Sequence, residues 1–371
     1  MNDTTKQRIA IIGGGRVGTA IAAVLEQLGG YDSYIFDHVR NPACGADSKL
    51  FISSDPEAVL SELKTYFTGQ PKENCAVIFA LSHKQAMPWL ELFNKWLPRD
   101  LKFMVAGRPS DVNRAAFHRR AIHFGVGLEP GLAEALLHHM ASRLPNADGI
   151  ETFCGGVPRH PKAPAWHMMH FATETTFSNR NSFSRVGGKT VNRPRFYSCE
   201  EINLENIGLV EVYDDAILPE TLAEPSLDHI RSLRQRTVRW PGFVQFAQSK
   251  ASPAEKEAAV LPQPLSEDMV ILAARATQRG RNIGSVQVVV KSIVGESAMS
   301  YTTALGVVAA LCTAQERPCP AGCIFPADSG QEEIFNGFTK LAKRLDPHSK
   351  RISISQSTEP QSENRFEQEM T

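Results

Sequence analysis

The stretch QRIAIIGGGRVGTAIAAVL, residues 7–25, joins two apolar runs through four glycines. The first run, residues 9–12, predicts a buried strand, and residues 16–28 carry apolar side chains at helical spacing. Three of the glycines fit the spacing G-x-G-x-x-G: Gly13, Gly15 and Gly18. The strand, the glycines and the helix therefore predict the first turn of a dinucleotide-binding βαβ unit.

Each glycine of this pattern has its own physical task. Gly13 would make the tight turn, Gly15 would let a pyrophosphate approach the backbone, and Gly18 would let the helix pack on the strand. The phosphates would then lie against free N–H groups at the positive end of the helix. A purely structural turn is the alternative.

Asp37 strengthens the nucleotide interpretation, because it closes the second predicted strand, 19 residues after Gly18. A carboxylate there can accept hydrogen bonds from both ribose hydroxyls and repels a 2′-phosphate, so we expect NAD. His38 and Arg40 could weaken that preference, and NADP stays an alternative. Further cofactor contacts are expected in the glycine loop and just past two later strands, at Arg16, Val17, Ala80, Leu81 and Ala106.

Composition excludes several other classes. The chain has 371 residues, with 40 basic and 40 acidic side chains, so broad binding to a nucleic-acid backbone is not expected. No apolar run reaches the ~18 residues of a membrane span, and the N-terminus lacks the apolar core of a signal peptide. These features predict a cytoplasmic protein.

Seven cysteines are spread along the chain. Their odd number in a large chain argues against a disulfide scaffold. Cys319 and Cys323 lie near Cys312, but no histidine is close enough to complete a zinc site. We therefore expect free thiols and no metal.

Strands and helices alternate over the first ~140 residues, which predicts a doubly wound parallel sheet, the Rossmann type of α/β fold. Beyond residue 145 the segments become short and alternating, and RVGGKTV predicts a hairpin around Gly187 and Gly188. We expect an inserted α+β substrate domain on a mainly antiparallel sheet. An apolar helix over residues 300–314 could pack back on the first domain. The predicted boundaries are 1–134 with 298–345 for the dinucleotide domain and 135–297 for the substrate and dimerisation domain, followed by a polar tail over 346–371 that we expect to be disordered.

Four later segments occur in a distinctive order: GLEPGLAEALL (127–137), FCGGVP (153–158), VEVYDDAILPETL (210–222) and RTVRWPGF (236–243). Together with the glycine motif they resemble the saccharopine dehydrogenase-like family, over roughly residues 9–328. The chain departs from the family at Glu129, where Asp is common, and its segment after CGGVP lacks the family's usual patterns.

The resemblance implies an NAD(P)-dependent oxidoreductase that acts on a C–N bond of an amino acid, by amine oxidation or imine reduction. It also implies a homodimer and a small amino-acid or imine substrate. An imine reductase of polyamine or specialised metabolism and a catalytically silent NAD(P)-binding protein are the alternatives.

Three residues are the candidates for catalysis. Glu129 follows the last predicted strand of the first domain and could bind an ammonium group or relay its proton, or simply stabilise a helix start. His83 could act as a general base, since imidazole titrates near neutrality, or could be a solvated loop residue. Arg239 could hold a carboxylate by two hydrogen bonds, or form an ion pair on a sheet face.

Overall fold

The computed structural model describes residues 6–40, 49–109, 112–169, 176–178, 180–215, 217–262, 266–317, 321–326, 328 and 332–357. These residues form two sheets, of seven and nine strands. The predicted fold class is confirmed: a Rossmann-like parallel sheet is joined to a second, mostly antiparallel sheet.

The first sheet is parallel throughout its registered pairs, in the order β15-β6-β5-β4-β1-β2-β3. Its strands are β1 (Gln7–Ile12), β2 (Tyr31–Asp37), β3 (Leu50–Ile52), β4 (Cys75–Phe79), β5 (Lys102–Val105), β6 (Ala121–Phe124) and β15 (Gly322–Ile324). The direction of winding reverses between β1 and β4, and a ligand crevice lies beyond the carboxyl ends of the strands at such a point.

Nine helices accompany the strands in the described ranges. They are α1 (Arg16–Leu28), α2 (Pro56–Tyr66), α3 (His83–Trp96), α4 (Ala133–Arg143), α5 (Pro219–Leu222), α6 (Phe243–Ala247), α7 (Pro253–Val260), α8 (Ala298–Glu316) and α9 (Glu332–Leu345). Side-chain capping explains where two of these helices begin. Asp55 caps α2 by accepting from the Glu57 N–H, and Ser82 forms a capping box with Gln85 at the start of α3. Pro88 lies inside α3, beyond its first turn, where it removes one backbone donor.

The second sheet has the order β10-β11-β12-β7-β13-β14-β16, with β8 paired to β12 and β9. Its strands are β7 (Gly149–Pro158), β8 (Asn181–Val186), β9 (Lys189–Pro194), β10 (Glu200–Leu204), β11 (Gly208–Asp214), β12 (Ser232–Arg239), β13 (Asp268–Gln278), β14 (Arg281–Lys291) and β16 (Ile352–Ser357). Only β12 and β7 pair in parallel among the registered pairs. The predicted hairpin around Gly187 and Gly188 is confirmed as β8–β9.

The expected disorder of residues 346–371 is wrong for its first part. Asp346 accepts hydrogen bonds from three following backbone N–H groups, and β16 then pairs with β14. Ile352 and Ile354 pack against the core while serines alternate with them. The sequence did not predict this strand because the segment is mostly polar. Two apolar residues, Ile352 and Ile354, are enough to hold this edge strand against the core. Residues 358–371 lie outside the described residues.

Helix α8 lies between the two sheets' surroundings: it contacts α1, which follows β1 of the first sheet, and β13 of the second sheet. It is buried over most of its length. A Cβ on its Gly306 would lie 2.2 Å from the carbonyl oxygen of Gly127, so only glycine permits this approach to the loop after β6. No helix within the described ranges is both long and apolar enough to cross a membrane. The domain boundaries given above stay a proposal.

Candidate functional site

The glycine loop has the geometry that its sequence predicts. Gly13 has a φ of +104°, and a Cβ there would lie 2.8 Å from the carbonyl oxygen of Ala80. A Cβ on Gly18 would lie 1.8 Å from the carbonyl oxygen of Gly13. Gly15 is exposed and has no such neighbour within 4 Å. Two glycines therefore permit close packing, while the third leaves open space in front of the α1 N-terminus.

This N-terminus suits an anion. No side chain among the described residues caps α1 at Gly15, and no acidic residue lies in its first turn. The first backbone N–H groups of a helix need acceptors, and the helix dipole makes this end positive. The open space at Gly15 thus fits a pyrophosphate, as a dinucleotide cofactor requires.

Asp37 is built into the loop. Its Oδ2 accepts a hydrogen bond from the Gly14 N–H at 2.5 Å, and its Oδ1 accepts one from the His38 N–H at 2.6 Å. The ring Nδ1 of His38 lies 2.8 Å from the same Oδ1. The carboxylate is therefore held beside the glycine loop, at the position predicted for binding the ribose.

A small cleft opens next to Asp37. Its lining residues come from the ends of β1 and β2 and from the segments that follow β3 and β4: Ile12, Gly13, Phe36, Asp37, His38, Ser53, Val59, Leu81 and Trp89. The cleft thus extends the glycine loop with an apolar wall, which suits an adenosine group.

The other predicted cofactor residues lie along the same carboxyl edge. Arg16 and Val17 begin α1. Ala80 and Leu81 follow β4, and the Ala80 N–H donates to the carbonyl of Ile12 at 2.8 Å. Ala106 follows β5, with its N–H donating to Phe79 at 3.0 Å. The structure therefore brings these residues to one edge, although their contact with a cofactor stays a proposal.

Glu129 lies in the loop between β6 of the first sheet and α4, the helix that precedes β7 of the second sheet. Its Oε1 accepts a hydrogen bond at 3.0 Å from Nε2 of Gln235, on β12 of the second sheet. The side chain is half-buried. Burial is the main cause that raises the pKa of Glu129 to about 7, while the Gln235 hydrogen bond opposes the rise.

Glu134, in the first turn of α4, was not singled out from the sequence. Its Oε1 accepts from the same Gln235 Nε2 at 3.2 Å, and its Oε2 accepts from the Gly131 N–H at 2.7 Å. The residue is completely buried, and this burial raises the pKa of its carboxyl. An acidic residue inside the apolar run GLAEALL was the only signal for it, and helix-start stabilisation explained that signal equally well.

Arg108, after β5, faces this pair of carboxylates. Its Nη2 donates to the carbonyl of Ile217 at 3.3 Å. Burial lowers the pKa of Arg108, and the charge of Arg180 lowers it further, whereas Glu134 and Glu129 oppose the shift. Opposite charges therefore lie in a poorly solvated environment where Gln235 of the second sheet meets the loop after β6.

Arg239, at the end of β12, is a buried cation that makes a single hydrogen bond within the described part of the chain. It is 7% exposed, its Nη1 donates to Val238 at 2.7 Å, and its guanidinium lies 5.4 Å from the Phe243 ring centre. No described acidic group lies within ion-pair distance of it, and its Nε has no hydrogen-bond acceptor among them. The alternative of a sheet-face ion pair is thus not found in the described part of the chain.

Alternation along the strands places Arg239 and Gln235 on the sheet face that looks towards the first domain. Thr237 lies between them on the same face and pairs with Tyr213 of β11 and Cys154 of β7. Cys154 is buried, and this burial holds its pKa well above the usual value, so the thiol stays protonated. Cys154 is thus one of the free thiols expected from the sequence.

His83 is the first residue of α3 and lies at the carboxyl edge of the first sheet. Its ring packs 6.2 Å from that of Phe124, and its backbone N would be 2.6 Å from a Cβ on Gly107. His138 and His139 are buried in α4, and His167 packs on Phe243 at 5.0 Å. No cluster of three or more metal-ligating side chains occurs in the described ranges.

The fold defines the class of this protein: an α/β protein with a Rossmann-like parallel sheet and a second, mostly antiparallel sheet. Its structure is similar to that of the apo, histidine-tagged saccharopine dehydrogenase (L-Glu forming) from Saccharomyces cerevisiae. The TM-score is 0.72 over 95% of this chain and 100% of that chain, at 12% sequence identity. The predicted resemblance to saccharopine dehydrogenase is therefore confirmed at the level of the fold.

A second solved structure is more distant. The C. glutamicum DAP dehydrogenase in complex with DAP has a TM-score of 0.46, covering 89% of this chain and 96% of that chain at 10% identity. No protein-family model and no curated protein sequence matches the chain.

Proposed function

We propose that the chain is an NAD(P)-dependent oxidoreductase that acts on a C–N bond of an amino acid. The observation that carries the proposal is the position of Glu129, whose carboxyl accepts a hydrogen bond from Gln235 where the first sheet meets the second. Burial there raises the pKa of Glu129 to about 7. A group that titrates near the working pH is suited to general acid–base catalysis. The fold shared with a saccharopine dehydrogenase supports the same class of reaction.

The cofactor would supply hydride acceptance or donation. Gly13, Gly15 and Gly18 would hold its pyrophosphate, and Asp37 its ribose, which favours NAD. NADP stays an alternative because His38 lies against the Asp37 carboxylate and would lessen its repulsion of a 2′-phosphate. Arg16, Val17, Ala80, Leu81 and Ala106 complete the proposed cofactor site.

Glu129 would accept or donate the proton of the substrate nitrogen. Oxidation removes a hydride from the carbon and a proton from the nitrogen, so that the C–N bond becomes C=N. Glu129 would accept that proton from the amine, and in the reverse direction would protonate the imine nitrogen. His83 is the second candidate base, because it lies at the same edge of the sheet.

Arg239 would bind the carboxylate of the substrate. A buried cation without a counter-ion is costly, and an anionic ligand offsets that cost. Its planar guanidinium can present two N–H groups to a carboxylate. Glu129 for the amine and Arg239 for the carboxylate would together select amino acids.

The direct test is calorimetry with NAD, NADH, NADP and NADPH, followed by a panel of amino acids and imines with absorbance of the reduced cofactor as readout. Turnover of a basic or glutamyl-linked amino acid supports the proposal. Imine reduction with NADPH alone would favour the imine reductase, and cofactor binding without turnover would favour the silent binding protein. Sedimentation of the same sample tests the predicted homodimer.

A further inference from the structure

Two carboxylates share one amide at the domain junction. The Nε2 of Gln235 carries two hydrogens and lies within hydrogen-bond distance of Oε1 of both Glu129 and Glu134. Gln235 is completely buried, and its Oε1 accepts a hydrogen bond from no donor among the described residues. The amide therefore serves mainly as a double donor that keeps the two carboxyl groups close.

The two carboxyl groups are not equivalent. Glu134 is inaccessible to solvent, whereas Glu129 is partly exposed. Glu134 also accepts the Gly131 N–H at 2.7 Å and lies in the first turn of α4, where the helix dipole favours negative charge. Of the two, Glu129 has the exposed surface that a substrate could reach, whereas Glu134 has a backbone donor among the described residues.

Close, buried carboxylates cannot both ionise freely, so such a pair retains one proton over a range of pH. The extra donor and the dipole place the negative charge on Glu134, and this charge favours a proton on Glu129. Where their environments push the pKa values of two carboxyl groups apart in this way, one group becomes the acid and the other stabilises charge.

Other charged groups face the pair from the surrounding elements. Arg108, after β5, attracts both carboxylates, and Asp215, after β11, repels Glu129. Asp215 is itself paired with Arg180 and Arg195, so its effect on Glu129 is weakened. Burial, and then the charges of both glutamates, raise the pKa of the Cys154 thiol, which therefore stays neutral. Glu134 is therefore the nearby anion whose charge is not cancelled by an ion pair in the described ranges.

We propose that Glu134 is a positioning residue that acts through Gln235: it orients the Glu129 carboxyl and keeps the exchangeable proton of the pair on Glu129. This inference rests on the proposed function only for its purpose, the transfer of that proton to or from a substrate. The sharing of the proton is a property of the protein alone and can be measured without turnover.

The test is an infrared titration of the protonated-carboxyl band, with Glu129→Gln used to assign the Glu129 component. In Glu134→Gln the neighbouring charge is lost, so the midpoint of Glu129 should fall by about one pH unit. In Gln235→Leu the donor is lost, so the midpoint should rise by a similar amount. Glu57→Gln, which removes an exposed first-turn acid of α2, is the matched control and should leave it unchanged.

Shifts of opposite sign in the two variants would support the proposal, because a general loosening of the fold would move both midpoints in the same direction. An unchanged midpoint in either folded variant would overturn it. If Glu134→Gln does not fold, the rise in Gln235→Leu decides alone. Shifted midpoints in a protein without turnover would refute the oxidoreductase and leave this inference standing. Turnover with unshifted midpoints would support the oxidoreductase and overturn this inference.

Discussion

The carboxylate of Asp37 accepts a hydrogen bond from the backbone N–H of Gly14, so the end of β2 is tied to the glycine loop after β1. This contact joins the two parts of the proposed nucleotide site before any ligand is bound. Because the carboxylate is already held in place, little conformational freedom remains to be lost on binding.

Asp37→Asn should lower NAD affinity by about tenfold, since a charge-assisted hydrogen bond to the ribose contributes about 1.5–3 kcal/mol and an amide keeps part of it. The same change should improve NADP affinity relative to NAD, because the repulsive charge is gone. Calorimetry with both cofactors measures this ratio. Asp32→Asn, near the other end of β2, is the control, and equal cofactor preference in Asp37→Asn and the wild type would contradict the assignment.

Gly18→Ala should destabilise the protein by about 1–3 kcal/mol, because its Cβ would overlap the Gly13 carbonyl and force the backbone apart. Gly15→Ala introduces a Cβ into open space and should cost less stability while weakening cofactor binding. Urea unfolding without cofactor separates the two effects. Equal stability losses in the two variants would show that the loop packs differently.

The raised pKa of Glu129 makes stability depend on pH. The folded pKa, about 7, lies above the unfolded value near 4.5, so the folded state binds the proton more tightly and stability falls as pH rises between these values. The fall contributed by this group is about 3 kcal/mol at most. Urea unfolding of the wild type and Glu129→Gln across that range measures it. A variant with an unchanged pH slope would mean that Glu129 ionises normally.

Arg239→Met should leave folding stability unchanged or slightly higher, because it removes a buried charge that has no ion pair in the described ranges. KM for a carboxylate substrate should rise by about tenfold or more, as expected for the loss of charge-assisted hydrogen bonds. Arg275→Met, on the exposed part of β13, is the control and should not change KM. A large stability loss with an unaltered KM would assign Arg239 a structural role instead.

Ile352→Ala should cost about 2 kcal/mol of unfolding free energy, because Ile352 is 3% exposed and joins the core shared by both sheets. Ser355 lies on the same strand but is exposed, so Ser355→Ala should change the unfolding free energy little. Chemical denaturation of both variants makes the comparison. Equal stability of the two would place the edge strand outside the cooperative unit.

Local patterns were sufficient for much of the fold. The strand–glycine–helix unit, the Asp at the end of β2 and the hairpin at Gly187 and Gly188 each depend on neighbouring residues, so their conformations follow from short-range sterics and hydrogen bonding. Glu129 could also be selected, because it follows a strand whose carboxyl end lies at the ligand edge. The strand β16 could not, because its pairing with β14 joins positions about 65 residues apart.

The glycine spacing, the alternation of strands with helices and the identity of the residues at strand ends determined the class of fold and the location of the glycine loop. These features depend on backbone geometry within a few residues. The tertiary structure alone decided that Gln235 meets Glu129 and Glu134, and that Arg239 is buried without an ion pair in the described ranges. Those properties arise from long-range packing between two sheets, which sets both the distances between charges and the solvent around them.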